Sequence, residues 1–208
     1  MQRLAMYLEL STRVAGWTRG PEAEALIHAA YDLPPDARIV ELGAFLGSGS
    51  ILLAGARKLR RSGMVHCVDP FDASGDAFSV PEYARILSDR DGAPQIQRFR
   101  DNLRNAGLAR WVTVHQARAE QAADHWDSPV DMLFMDADQS RAGVQSAYAS
   151  WAAWLKPGAV LALHNSMPHD DSPGHDGHFR LRERLLASTE YVLEHEAGST
   201  SFLRRKEL

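Results

Sequence analysis

The chain has 208 residues, 45% of them hydrophobic and 24% charged, with a formal net charge of -4. That length suits one sizeable core and rarely two, and the mild negative charge lacks the broad basic field that nucleic-acid binding needs. The single cysteine, Cys67, excludes an intrachain disulfide, and no apolar run has signal-peptide or membrane-spanning length, so a cytoplasmic protein without nucleic-acid or membrane partners is expected.

In chain order, residues 2–15 carry Leu4, Tyr7, Leu8 and Val14 at loose helical spacing. Residues 21–31 read as a second helix, with Pro21 in its first turn and Glu22 and Glu24 where the helix dipole favours them. Residues 1–35 are thus expected to form a helical cap, a candidate lid or homodimer contact, on a core over 36–208 within a single domain. Apolar strands then alternate with helices: strand 38–42, helix 48–60, strand 64–68, helix 93–106, strands 111–115 and 131–135, helix 140–155 and strand 159–163. Late strands are expected at 190–194 and 200–204. Cys67 lies in the second strand and reads as a buried thiol. Residues 70–92 and 164–178 read as long loops. This rhythm implies an α/β fold with a mostly parallel sheet covered on both faces, whose ligands bind at the carboxyl ends of the strands.

Those strand ends carry the chemistry. After the first strand comes Glu41-Leu42-Gly43-Ala44-Phe45-Leu46-Gly47-Ser48-Gly49. Glycines there allow backbone angles closed to side chains and let a ligand approach, and the helix that follows offers free N–H groups. The spacing differs from the G-x-G-x-x-G of dinucleotide enzymes. Read alone, the segment is equally a tight turn with no ligand. The second strand ends in Asp69, about where a nucleotide-fold carboxylate grips ribose hydroxyls.

The order Glu41-x-Gly43-x-x-x-Gly47-x-Gly49, Val68-Asp69, Gly107-Leu108, Asp136-x-Asp138 and Leu155-Lys156-Pro157-Gly158-Ala159 resembles the class I S-adenosylmethionine-dependent methyltransferases. The resemblance spans roughly residues 36–165 and is strongest to the small-molecule branch that tailors natural products and sugars. It implies a Rossmann-like, doubly wound, seven-stranded sheet of order 3-2-1-4-5-7-6, mostly parallel with an antiparallel last strand. It also implies that Gly43, Gly47 and Gly49 skirt the methionine part of the cofactor, with Glu41 below it. By the same resemblance Asp69 binds the ribose, the chain around Ala117, Arg118 and Ala119 meets the adenine, and Asp136 lies near the methionine amino group or the reactive centre. Phe71 is a candidate to pack on the adenine, or an ordinary core residue.

Methyl transfer requires an aligned nucleophile and a destination for its proton. Asp136, Asp138 and His164 are the catalytic candidates. The pairing of Asp136 with His164-Asn165 resembles the divalent-metal O-methyltransferases, so Asp136, His164 and Asn165 are candidate ligands for Mg²⁺ or Mn²⁺, although a histidine makes the set less suited to Mg²⁺. In the metal-free alternative His164, Asp138 or a loop histidine is the base, since Gln139 stands where some relatives carry histidine. Asp138 is equally placed to cap the helix at 140–155. Tyr83, Gln139, Asn165, His169, Asp170 and Asp171 are candidate substrate contacts, and the acidic loop suggests a cationic acceptor. The expected activity is methylation of a hydroxyl or amine on a small polar molecule: a sugar, amino sugar or aminoglycoside-type natural product in antibiotic biosynthesis. A metal-dependent catechol-type O-methyltransferase is the alternative. An NAD(P)-dependent oxidoreductase, or a catalytically silent cofactor-binding protein, is the reading from another class.

Overall fold

The computed structural model describes residues 2–88, 92–168 and 174–207. Seven strands form one sheet: β1 (Arg38–Leu42), β2 (Met64–Asp69), β3 (Val112–Gln116), β4 (Val130–Met135), β5 (Leu155–Leu163), β6 (Tyr191–Ala197) and β7 (Thr200–Arg205). Their order is β3-β2-β1-β4-β5-β7-β6. The pairs from β3 to β5 are parallel, and β7 runs antiparallel to both β5 and β6. The order and the antiparallel last strand are those the resemblance implied.

Eight α-helices accompany the sheet among the described residues: α1 (Gln2–Thr12), α2 (Gly20–Asp32), α3 (Ser48–Arg60), α4 (Val80–Ser88), α5 (Gln95–Asn105), α6 (Ala119–Asp124), α7 (Arg141–Trp151) and α8 (Gly177–Ala187). Alternate strand residues face opposite sides, and this divides the core in two. Ile39, Val65, Met132 and Phe134 pack with Leu26, Ile27, Ile51 and Phe99 on one side. Val40, Leu42, Leu133 and Leu161 pack with Val144, Trp151 and Leu181 on the other. No helix of the described residues is long and apolar enough to cross a membrane.

The N-terminal helices are part of the packed body. A Cβ on Gly55 in α3 would lie 2.4 Å from the Tyr7 ring, so a glycine lets α1 close onto α3. Arg57, at the end of α3, is fully buried. Its guanidinium donates to the carbonyls of Ser62 and Ala30 at 2.8 Å and Pro34 at 2.9 Å, fixing the end of α2.

Several expected boundaries shift. The expected helix over 140–155 is α7 followed by a short 3-10 turn at Ala152–Trp154, and β5 begins at Leu155 rather than 159. Pro157 cannot extend a helix, and Gly158, at φ +77°, accommodates the irregularity between β4 and β5. The loop expected over 70–92 contains α4. Asp76 starts it, accepting from Phe78 N, Ser79 N and Ser79 Oγ at 2.9–3.0 Å. The loop expected over 164–178 gives way to α8 at Gly177, whose backbone N–H is tied to the Gln139 carbonyl at 3.0 Å. A Cβ at Gly177 would collide with the Ser140 and Gln139 carbonyls at 2.6 and 2.7 Å.

Candidate active site

A cavity opens at the carboxyl ends of β1, β2, β4 and β5. One half lies over the glycine turn. Gly43 has φ +88°, and a Cβ there would stand 2.2 Å from the Asp136 carbonyl, so only glycine lets β1 and β4 leave the sheet side by side. Glu41 is buried beneath this turn, accepting hydrogen bonds from Ser50 Oγ and from Cys67 Sγ, the latter at 3.1 Å. Burial without a cation raises its carboxyl to about 7. Asp69 receives Phe45 N on one oxygen at 2.9 Å and Phe71 N on the other at 2.6 Å. Burial outweighs these bonds and raises it to about 6. Ala44 N also acts on this carboxylate, which lines the cavity with room to accept further.

The other half is walled by aromatic rings from three segments. Phe45 stacks on Tyr83 of α4 at 5.0 Å between centroids, and Trp17, from the α1–α2 connection, meets both at 5.4 and 5.5 Å. Phe78 packs on His175 at 4.4 Å. His175 Nδ1 lies 3.2 Å from Asp76 Oδ1. Burial opposes ionisation of Asp76, but His175 and the N–H groups of Gln139 and Ser79 win, and its carboxyl falls far below the ordinary range.

Between the halves stands His164. Its Nδ1 is 2.6 Å from Asp136 Oδ1, and its Nε2 is 3.7 Å from Glu22 Oε1, within ion-pair range but too long for a direct hydrogen bond. Burial disfavours the imidazolium, yet the two carboxylates prevail and raise His164 to about 10. Glu22, despite burial, falls to about 2, held by His164, the β6–β7 turn and Arg19 N. Ser199 N and Oγ reach the same Glu22 oxygen at 3.1 and 2.8 Å.

The comparisons with known proteins give this geometry its family. A family model described as a methyltransferase domain matches residues 40–166, more than half of the chain. The chain belongs to this methyltransferase family. Among solved structures, it is similar to cofactor-bound Rv0187 from MTB, at 16% identity and TM-score 0.67 over 100% of this chain and 91% of that one. It also resembles the O-methyltransferase TomG from Streptomyces achromogenes, involved in tomaymycin synthesis and crystallised with SAM, at 19% identity and TM-score 0.63, again over 100% and 91%. An O-methyltransferase from Bacillus cereus in complex with SAH matches at 17% identity and TM-score 0.64, over 99% of this chain and 91% of that one. At these identities the likeness is one of fold.

Within this methyltransferase, the expected site residues separate. Glu41, Gly43, Gly49, Asp69, Arg118 and Asp136 line one cavity, as do Tyr83, Asp138, Gln139, His164 and Asn165. Gly47 instead faces the Phe99 ring, 3.2 Å from where a Cβ would lie. Phe71 is a core residue, packed on Phe99 at 5.0 Å, and is not among the lining residues. Ala117 is tied by its N–H to the Asp69 carbonyl, and the wall is formed by its neighbours Arg118 and Ala119. The expected cap role of Asp138 belongs to Ser140, whose hydroxyl accepts from Gly143 N at 3.1 Å. Asp138 accepts from Ser140 N instead, at 2.8 Å. His169, Asp170 and Asp171 lie outside the described residues.

His164 is held between two carboxylates. While it is protonated between these carboxylates the ring offers no lone pair, so a base or metal-ligand role requires it to give up that proton. Asp136, His164 and Asn165, the set expected to hold a divalent metal, all line the cavity. Among the described residues no group of three His, Cys, Asp or Glu converges at metal-holding range. The pairs Glu22–His164 and Asp76–His175 were missed in sequence, because each joins segments 142 and 99 residues apart. The one local signal was at Asp76, whose Asp-x-x-Ser start precedes Pro81 and the helical spacing of Tyr83, Ile86 and Leu87.

Proposed function

We propose that this methyltransferase uses S-adenosylmethionine to methylate a hydroxyl of a small ring-bearing molecule in the cytoplasm. The observation that carries this reading is the single cavity running from Asp69 and Gly43 to the His175–Asp76 pair. The cofactor half fits the donor: the free acceptor sites of Asp69 suit two ribose hydroxyls, and Asp136 and Asp69 favour a cationic ligand. When bound, S-adenosylmethionine supplies a sulfonium methyl, whose carbon–sulfur bond breaks as the acceptor oxygen bonds to that carbon.

The remaining work falls to the chain. Trp17, Phe45 and Tyr83 hold a ring and limit water. His175 Nε2 takes the hydroxyl proton, while Asp76 fixes the opposite edge of the imidazole and stabilises its charge. The fixed charge of His164 holds Asp136 in place. The aromatic wall supports two acceptor classes, a sugar or amino sugar stacked by its C–H face as in antibiotic tailoring, and a phenol stacked by its plane.

The test is calorimetry with S-adenosylhomocysteine and NAD(P), followed by labelled methyl transfer to panels of amino sugars and phenols. Binding of S-adenosylhomocysteine alone and an O-methyl product support the proposal. NAD(P) binding points to the oxidoreductase, S-adenosylhomocysteine binding without turnover to a silent binding protein, and an N-methyl product to an amine acceptor.

A further inference from the structure

Two buried side-chain atoms have no hydrogen-bond partner among the described residues: Gln139 Oε1 and His178 Nδ1. Both residues are almost wholly buried, with His178 1% and Gln139 5% exposed, and both line the cavity. The Gly177 N–H is bonded to the Gln139 carbonyl, which sets the first turn of α8, where His178 stands, against the segment after β4 that carries Gln139. Their backbones and outer atoms are otherwise engaged. Gln139 N donates to Asp76 Oδ2 at 3.2 Å. The other edge of His178 is hydrogen-bonded to the backbone of His164.

That bond fixes the tautomer. Nε2 carries the proton and Nδ1 is left as a bare acceptor. Burial and the neighbouring charge of His164 hold the ring neutral, down to about 3, so Nδ1 stays an acceptor at any working pH. Two buried acceptors without donors are costly in a finished structure. A ligand that brings donors removes that cost.

We propose that Gln139 Oε1 and His178 Nδ1 form a donor-reading subsite, which selects acceptors carrying a second hydroxyl or an amine on the atom next to the methylated hydroxyl. The inference rests on the function proposed above, with His175 facing the reacting hydroxyl and this pair facing its neighbour. The ligand chemistry is therefore a ring with vicinal donors. A catechol and a 2-amino sugar share it, and a lone phenol lacks it. An acceptor without the second donor leaves both atoms unpaired, which is how buried polar groups discriminate.

The experiment uses the full chain saturated with S-adenosylhomocysteine and labelled with ¹⁵N-histidine. Failure of S-adenosylhomocysteine to bind refutes the proposed function itself and is seen before any acceptor is added. The His178 Nδ1 resonance is assigned from its loss in His178→Phe. Pyrocatechol and methyl 2-amino-2,4,6-trideoxyglucoside are then titrated separately, against 2-methoxyphenol and methyl 2,4,6-trideoxyglucoside as partners that keep one hydroxyl and lack the second donor. The expected result is an upfield shift of Nδ1 with one donor-bearing probe, which identifies the acceptor class, and none with its partner. Gln139→Met, which leaves the backbone bonds intact, is expected to lower the preference for the donor-bearing probe over its partner about tenfold in kcat/KM, the size of one lost buried hydrogen bond. An Nδ1 resonance that stays fixed with both probes carrying the second donor, or moves equally with the partners lacking it, overturns the subsite, as does an unchanged preference in Gln139→Met.

Discussion

The His164 imidazole meets the Asp136 carboxylate at 2.6 Å through Nδ1, while Glu22 stands at 3.7 Å from its other nitrogen. A side chain from α2, before the first strand, thereby completes a buried charge array at the ends of β4 and β5. Glu22 also accepts from Ser199 and Thr200 in the β6–β7 turn. The array ties the N-terminal helices, the sheet and the last hairpin to the centre of the cavity.

This array sets a pH window for stability. His164 is raised to about 10 in the folded chain, so its contribution is full below its unfolded value near 6.5 and is lost as pH rises through 10. Glu22 is lowered to about 2, so its contribution is present above about 4.5 and is lost as pH falls toward 2. His164→Gln should cost about 3 kcal/mol at pH 6, because it strands two buried carboxylates. The difference from the wild type should shrink between pH 7 and 10. Urea denaturation across that range checks it, and a difference that does not vary with pH would refute the fixed charge.

Cofactor affinity should rise with pH through about 6, where Asp69 ionises in the ligand-free chain. Ribose hydroxyls donate to the carboxylate, so binding favours the charged form. Calorimetry with S-adenosylhomocysteine at pH 5 and pH 7.5 should show the increase. Asp69→Asn should weaken binding at least about tenfold at pH 7.5 and flatten this step.

The proton-accepting role of His175 makes a kinetic prediction. His175→Gln should lower kcat about 10²–10⁴-fold, the range for a lost general base, with S-adenosylhomocysteine affinity within about twofold of wild type. Asp76→Asn should lower kcat less, because the imidazole keeps its accepting nitrogen and loses only the partner that orients it. A His175→Gln enzyme with wild-type kcat would assign the proton elsewhere.

Arg57 provides a test away from the chemistry. Arg57→Met fills similar space but withdraws donors from the buried carbonyls of Ala30, Pro34 and Ser62. A loss of roughly 3 kcal/mol in unfolding free energy is expected. Thermal and urea unfolding measure it, and a loss below about 1 kcal/mol would show that water replaces the clamp.

The sequence by itself determined the sheet and the cofactor end. Strand positions follow from apolar runs, and Glu41, Gly43, Gly49 and Asp69 lie within or just beyond β1 and β2, so local order alone brings them together. Phe71 could not be placed the same way, because a ring two residues past a strand turns toward either core or cavity, and here Phe99 receives it. Only the tertiary structure decided the acceptor end. Burial beside two distant carboxylates sets His164 in a charge array, and packing against Asp76 brings His175 to the cavity wall. The protonation state of a side chain depends on what surrounds it in space, and for His164 and His175 those surroundings come from segments far away along the chain.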